Sequence, residues 1–182
     1  MHHPGSWIFL IFVGLCIALI MLVLHLTSLG KLIHQQIPDR PQRRLFLASI
    51  SFFVTFISVR LLVEAITHHI GPFGWVQMGG VHIHHLVWGI LILLLCGYGE
   101  LTEVADRDTP ISILLSRLLA LGYGAGAALT LDEFAIWLNL NANDYWGAKN
   151  RESIDAVILF GALLAMGAWG APLFRHAFRR GR

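Results

Sequence analysis

Three imidazoles lie within four residues, His82, His84 and His85, in the run Gly79-Gly80-Val81-His82-Ile83-His84-His85-Leu86-Val87-Trp88-Gly89. Imidazole nitrogen is a preferred ligand of zinc and iron, and a metal site needs donors that converge on one point. On a helix His82 and His85, three residues apart, share a face while His84 points elsewhere. If the first residues are extended, His82 and His84 share a face instead. Either arrangement brings two imidazoles together. A single interfacial histidine is adequately explained by hydrogen bonds to headgroups and loop carbonyls. Three in so short a run, level with carboxylates elsewhere, point to a metal held by His82, His84, His85 and a carboxylate. The spacing matches none of the soluble zinc-protease motifs.

Two acidic segments supply the carboxylates. Arg60 and Glu64 are four residues apart, and His68 continues the stripe. An ion pair at that spacing lowers the cost of burial and is a sufficient role. Glu64 is also a candidate metal ligand or general base, with Arg60 holding an anionic substrate group or intermediate. Asp132 and Glu133 stand in Leu129-Thr130-Leu131-Asp132-Glu133-Phe134-Ala135. On a continuous helix they diverge by about 100°, so one of them can point straight into a bundle. Asp132 is expected inward as a metal ligand. Glu133 is expected toward a neighbouring helix or outer water, as a second candidate for proton transfer. Asp155 and Glu152 are explained by a helix N-terminus, and Ser153 by capping.

The elements that must position these groups are membrane spans. The chain has 182 residues, 56% hydrophobic and 13% charged, with a mean hydropathy of +0.67. A soluble domain is roughly 45–50% apolar and about 25% charged. That excludes a water-soluble globular fold and a disordered chain, and two cysteines in separate apolar runs exclude a disulfide framework. The composition predicts an all-α, single-domain, polytopic helix bundle. Five apolar segments, about 7–29, 45–69, 81–101, 110–140 and 153–174, are each long enough to cross a hydrocarbon core of about 30 Å. Asp108-Thr109-Pro110 provides a cap and a first-turn proline for the fourth segment. Gly71-Pro72 stops the second, and Ile37-Pro38-Asp39-Arg40-Pro41 makes a stiff turn after the first. Gly122 and Gly126 stand at GxxxG spacing, a signal for close helix packing. Cys16 and Cys96 read as inert core thiols, Trp75, Trp88 and Trp137 as belt or core residues, and Asp144-Tyr145-Trp146 as an interfacial anchor.

The basic residues orient the chain. Lys31, Arg40, Arg43, Arg44, Arg107, Arg117, Arg175, Arg179, Arg180 and Arg182 fall on one side of a five-span topology, against Lys149 and Arg151 on the other. The positive-inside rule then puts the N-terminus outside and the C-terminus inside. This orientation places Arg60, Glu64, the histidine run, Asp132 and Glu133 at one depth, toward the outer face. A charge near the membrane centre costs roughly 2.5–3.5 kcal/mol on insertion scales. The separate helices therefore gain by bringing their ionisable residues together.

Taken together, His82-Ile83-His84-His85 with Trp88-Gly89, Leu131-Asp132-Glu133-Phe134, and Asp144-Tyr145-Trp146 followed by Ser153-Ile154-Asp155 resemble a group of small bacterial integral membrane proteins usually described only as uncharacterised. The resemblance covers about 45–160. It implies a polytopic membrane fold and that these residues act as one set, but it supplies no activity. A looser comparison is with the membrane-embedded zinc hydrolases of the alkaline ceramidase and adiponectin-receptor type, in which three histidines hold zinc beside a serine and an aspartate. This chain has fewer spans and lacks their late HxxxH pair.

The leading expectation is a metal-dependent enzyme at the outer face of the bacterial plasma membrane. With Zn²⁺ it would hydrolyse an amphiphilic ester or amide through a bound water, and with iron it would oxidise a lipid-like substrate. The expected partners are membrane lipids and no nucleic acid. Two alternatives remain, a proton or cation transport protein and a non-catalytic subunit whose ion-pair cluster only fixes helix packing.

Overall fold

The computed structural model describes residues 5–37, 39–71, 77–78, 81–140 and 150–169. Its elements are α1 (Gly5–Leu26), α2 (Leu29–Gln36), α3 (Arg40–Thr67), β1 (Gln77–Met78), β2 (Val81–His82), α4 (His85–Leu101), α5 (Pro110–Asp132), α6 (Phe134–Asn139) and α7 (Asn150–Trp169). Helices α3, α5 and α7 are long and apolar enough to cross a membrane, and α4 is a shorter apolar helix. The protein is an all-α bundle apart from the two-residue antiparallel pair β1–β2, in which Gln77 faces His82. Trp75, Gly79, Gly80, Asp144, Tyr145, Trp146 and the basic tail from Arg175 onward lie outside the described residues, as do the side chains of Cys16, His25 and His82.

Local chemistry accounts for the helix limits. Thr109 caps α5 by accepting the Ser112 N–H, with Pro110 at the first turn, where its missing N–H costs nothing. Helix α3 also starts on a proline turn, at Arg40-Pro41. At its far end His69 and Gly71 adopt positive φ of 55° and 79° and turn the chain away. Two expected spans are revised. The third begins at His85, because the backbone through His84 is extended. The fourth breaks at Glu133 (φ −104°, ψ 20°) into α5 and the short α6.

Helix α5 is the centre of the bundle, packed on α3 and α4, with α7 closing against α3. Contacts along the interfaces set the directions. Ser51 of α3 donates to the Leu121 carbonyl, and Arg60, further along, meets Asp132, so α3 and α5 run parallel. Helix α4 runs antiparallel to α5, with His85 at Asp132 and Cys96 at Gly122. Helix α7 runs antiparallel to α3, with Gly161 at Phe52–Phe53 and Gly167 at Leu45. The Arg, His, Asp and Glu side chains of these helices therefore gather at two ends, one rich in arginine and the other holding the histidines with Asp132 and Glu133. Between them lies an apolar core that includes Phe52, Val59, Leu121, Ala125, Ala128 and Leu129. Leu94, Leu95, Leu159 and Leu163 point outward and are more than half exposed, as expected for side chains that face lipid.

Small residues make this packing possible. A Cβ on Gly89 would sit 2.7 Å from the Thr130 backbone nitrogen and 2.8 Å from the Gly126 oxygen. One on Gly122 would sit 2.8 Å from Cys96 Sγ. The GxxxG pair thus faces α4, with Gly89 as its counterpart. A Cβ on Gly124 would strike the Ala48 carbonyl oxygen and lie 3.0 Å from the Phe52 nitrogen. Backbone cannot yield there, so Gly124→Ala forces α3 and α5 apart. We expect it to lose about 1–3 kcal/mol of stability in detergent thermal unfolding. Gly97→Ala, with open space around it, should be neutral or slightly stabilising.

Candidate functional site

The site begins where α5 stops. Asp132 is its last residue, and Glu133 follows in the break; they are 1% and 4% exposed. A continuous helix would have aimed them about 100° apart. The break removes that limit and turns both carboxylates inward, and of the two directions expected for Glu133 it takes the one toward a neighbouring helix, α4. Ser153 of α7 supports the break, its Oγ accepting the Ala135 N–H, one of the unpaired donors of a new helix start. Because α7 begins at Asn150, Ser153 is a buried tie between helices and not a cap.

Asp132 is gripped from two sides. Arg60 Nε donates to Oδ1, and His85 Nε2 lies 2.9 Å from Oδ2. The Arg60 guanidinium also donates to Asn150 Oδ1 at 3.0 Å and lies over the Phe56 ring at 5.4 Å. Planar guanidinium suits such a site because its donors point along several fixed directions and its face stacks on aromatic carbon. Glu133 Oε1 meets His84 Nδ1 at 2.7 Å and lies 3.5 Å from His85 Nδ1, while Oε2 accepts the Leu86 N–H at 2.9 Å. That last bond places a carboxylate on the first turn of α4, where the helix dipole favours it.

The contacts form one chain, His84–Glu133–His85–Asp132–Arg60. Side-chain exposure along it is 24%, 5%, 10%, 0% and 14%, so it runs from a reachable histidine to a sealed carboxylate. Each ring nitrogen of His85 faces a carboxylate oxygen, and both can donate only in the imidazolium form. Arg60 brings one positive charge and the two acids bring two negative ones. A proton carried by His84 balances the charges of these groups. His84 lies in the extended segment ahead of α4. The Glu133 hydrogen bond raises its pKa above the ordinary imidazole value, partial burial opposes this, and the Glu133 charge adds to the rise.

The sequence-derived candidates divide accordingly. Arg60, His84, His85, Asp132 and Glu133 come together. Glu64 does not: its side chain is 49% exposed and pairs with His68 at 2.9 Å. Arg60 turns from Glu64 to Asp132 because the buried acid has greater need of a cation. For His82 the structure describes backbone alone, in β2; the run is extended through His84, the second of the two arrangements the sequence allows, so His82 and His85 do not share a helical face. Among the described residues, no three His, Cys, Asp or Glu side chains are placed to hold one ion, since the nitrogens of His85 point to different carboxylates. Asn150 is a member that sequence reasoning missed; an uncharged residue in a polar loop carries no signal of its own. Of the two acids expected at a helix start, Glu152 lies in the first turn of α7, whereas Asp155 lies beyond it and is 3.7 Å from Arg151 at the surface. Trp88, packed against the core beside Val59 and Leu129, has a buried indole N–H without a partner among the described residues. Compared with protein-family models, characterised proteins and solved structures, the chain matches none.

Asp132→Asn should cost roughly 3–5 kcal/mol in detergent unfolding, because it strands Arg60 in a half-buried site. Glu64→Gln, at an exposed pair, should stay within about 0.5 kcal/mol. A folded-state pKa raised at His84 adds stability that is fully present below the ordinary imidazole value and is lost as pH rises through the raised one. Unfolding followed from pH 5.5 to 8.5 should show that decline, and His84→Gln should flatten it.

Proposed function

We propose that this chain is an enzyme of the cell membrane that performs acid–base chemistry on an amphiphilic ester or amide at the outer face. The proposal includes a five-span topology, with the N-terminus outside and the C-terminus inside. The observation that carries it is the graded chain from His84 to Asp132. His84 exchanges a proton with substrate or water, Glu133 passes it on, and His85, oriented by Asp132, is the internal proton acceptor behind Glu133. A positioned acid or base of this kind is worth about 10²–10⁴ in rate. Arg60 is a positioning residue, holding the Asp132 carboxylate in place. Proton or cation conduction is less well supported. Between Arg60 and Arg44 on α3, and between Asp132 and Arg117 on α5, there is no charged side chain to continue the path.

A divalent metal, zinc or iron, held by His82, His84, His85 and Asp132 is the second reading, favoured by the imidazole density of the 82–85 run. It requires His85 or Asp132 to release the bond between them. One experiment separates these readings. The protein is purified in detergent, its metals are measured, and hydrolysis of a panel of acyl esters and amides is followed. We expect hydrolysis that falls 10²-fold or more in His85→Ala and stays near wild type in Glu64→Gln, without stoichiometric metal. Stoichiometric zinc or iron lost in His85→Ala would replace the acid–base reading with the metal one. Variants that lose stability alone, with no turnover of the panel by wild type, would leave a packing cluster.

A further inference from the structure

Among the described residues, the indole N–H of Trp88 is the one buried side-chain polar group with no hydrogen-bond partner. A donor in that condition has given up water and received nothing in exchange, so an acceptor that reaches it is gained at nearly full strength. Trp88 lies three positions past His85 and four past His84, the two spacings that share one side of a helix. Side chains on a helix lean toward its N-terminus, which carries the indole toward those histidines.

Its surroundings are hydrocarbon. Helices α3 and α4 both pack on α5 rather than closely on each other. Trp88 packs in the cleft between them, against the cluster of Val59, Leu62 and Val63 from α3 with Ala125 and Leu129 from α5. Ile17 of α1 packs on the same cluster. The described side chains of α1 that meet the core are Ile17, Ile20, Met21 and Leu24, a single stripe at helical spacing. Helix α1 is therefore the wall with least to lose when an occupant enters the cleft at Ile17.

These surroundings select the acceptor. A carboxylate or phosphate taken out of water needs a cation, and Arg60 is committed to Asp132 and Asn150. A buried water needs about two to four polar partners, and the cluster around the indole supplies none. A neutral acyl carbonyl meets both conditions, since it accepts one hydrogen bond and is joined to its own hydrocarbon chain.

We propose that the Trp88 indole N–H binds the carbonyl oxygen of an acyl ester or amide, whose chain lies in the α3–α4 cleft in place of Ile17. The proposal takes its substrate class from the acid–base reading above and adds the donor that holds the carbonyl one helical turn from His84. It also makes the site selective for acyl compounds over ethers of equal length.

The test uses the full chain, labelled with 15N-tryptophan, purified and delipidated in detergent. Of its six tryptophans, Trp88 gives the indole N–H resonance that is missing from Trp88→Phe. A neutral fatty amide is titrated in, and in parallel an alkyl ether of equal length, with retention of each read by native mass spectrometry. We expect the amide to move the Trp88 resonance downfield and saturably. The ether should leave it in place and be retained roughly tenfold more weakly. Trp88→Phe keeps a ring and drops the donor, so it should lose that preference with a Tm near that of wild type. If Trp88→Phe does not fold, the resonance is assigned by elimination from substitutions of the other five tryptophans, and the wild-type titration decides. Equal retention of amide and ether, a Trp88 resonance that the amide does not move, or a preference kept by Trp88→Phe would overturn the proposal. Hydrolysis of the acyl panel without a shift at Trp88 overturns this inference alone. A saturable shift without hydrolysis keeps the carbonyl site and overturns the acid–base reading instead.

Discussion

A carboxylate with no exposed surface, Asp132, sits at the end of the central helix of an apolar bundle. In such surroundings an uncompensated charge costs several kcal/mol, so everything near it must supply donors. Arg60 comes from α3, His85 from α4, and Asn150, at the start of α7, supports Arg60. Helices α3 and α4 are thereby tied directly to the same anion, and α7 through Arg60. The pairing also sets register, since sliding α3 or α4 by one turn would separate the charges by about 5.4 Å.

The close approach of the backbones is what allows those short side-chain contacts. Gly89 lies one turn beyond His85 and packs against Gly126 and Thr130, themselves one or two turns before Asp132 and Glu133. Dispersion between tightly packed small residues is the main attraction open to helices in lipid, where the solvent is as apolar as the side chains. The glycine contact and the polar chain are thus adjacent layers of one interface. The lower layer supplies proximity, and the upper layer supplies direction and chemistry.

The two ends of the molecule handle charge differently. At one end, acids and imidazoles are matched nearly one for one and draw inward, leaving a gradient of exposure from His84 to Asp132. At the other, Arg40 pairs with Asp106 and Asp108 and Arg44 with Glu100, beside a cavity where α1 and α2 meet α3 and α5. Matched charge suits proton exchange, where the net charge of the site must change little.

Helix content, the three long apolar helices α3, α5 and α7, the α5 start at Thr109-Pro110 and the GxxxG face were legible in the residue pattern, because they depend on composition, local backbone preference and side-chain size. The meeting of Arg60, His84, His85, Asp132 and Glu133 at one level was legible too, since ionisable groups in lipid have few alternatives to one another. The partners were not. Arg60 chooses Asp132 over Glu64, four residues away on its own helix, because burial makes the distant acid the stronger claimant. Glu133 turns inward because the helix breaks behind Asp132, a break that no glycine or proline marks. Asn150 joins through a long-range contact with no sequence period. Local rules settle which segments are helices; which charges touch is settled by where packed backbones come close, and that is a property of the whole bundle.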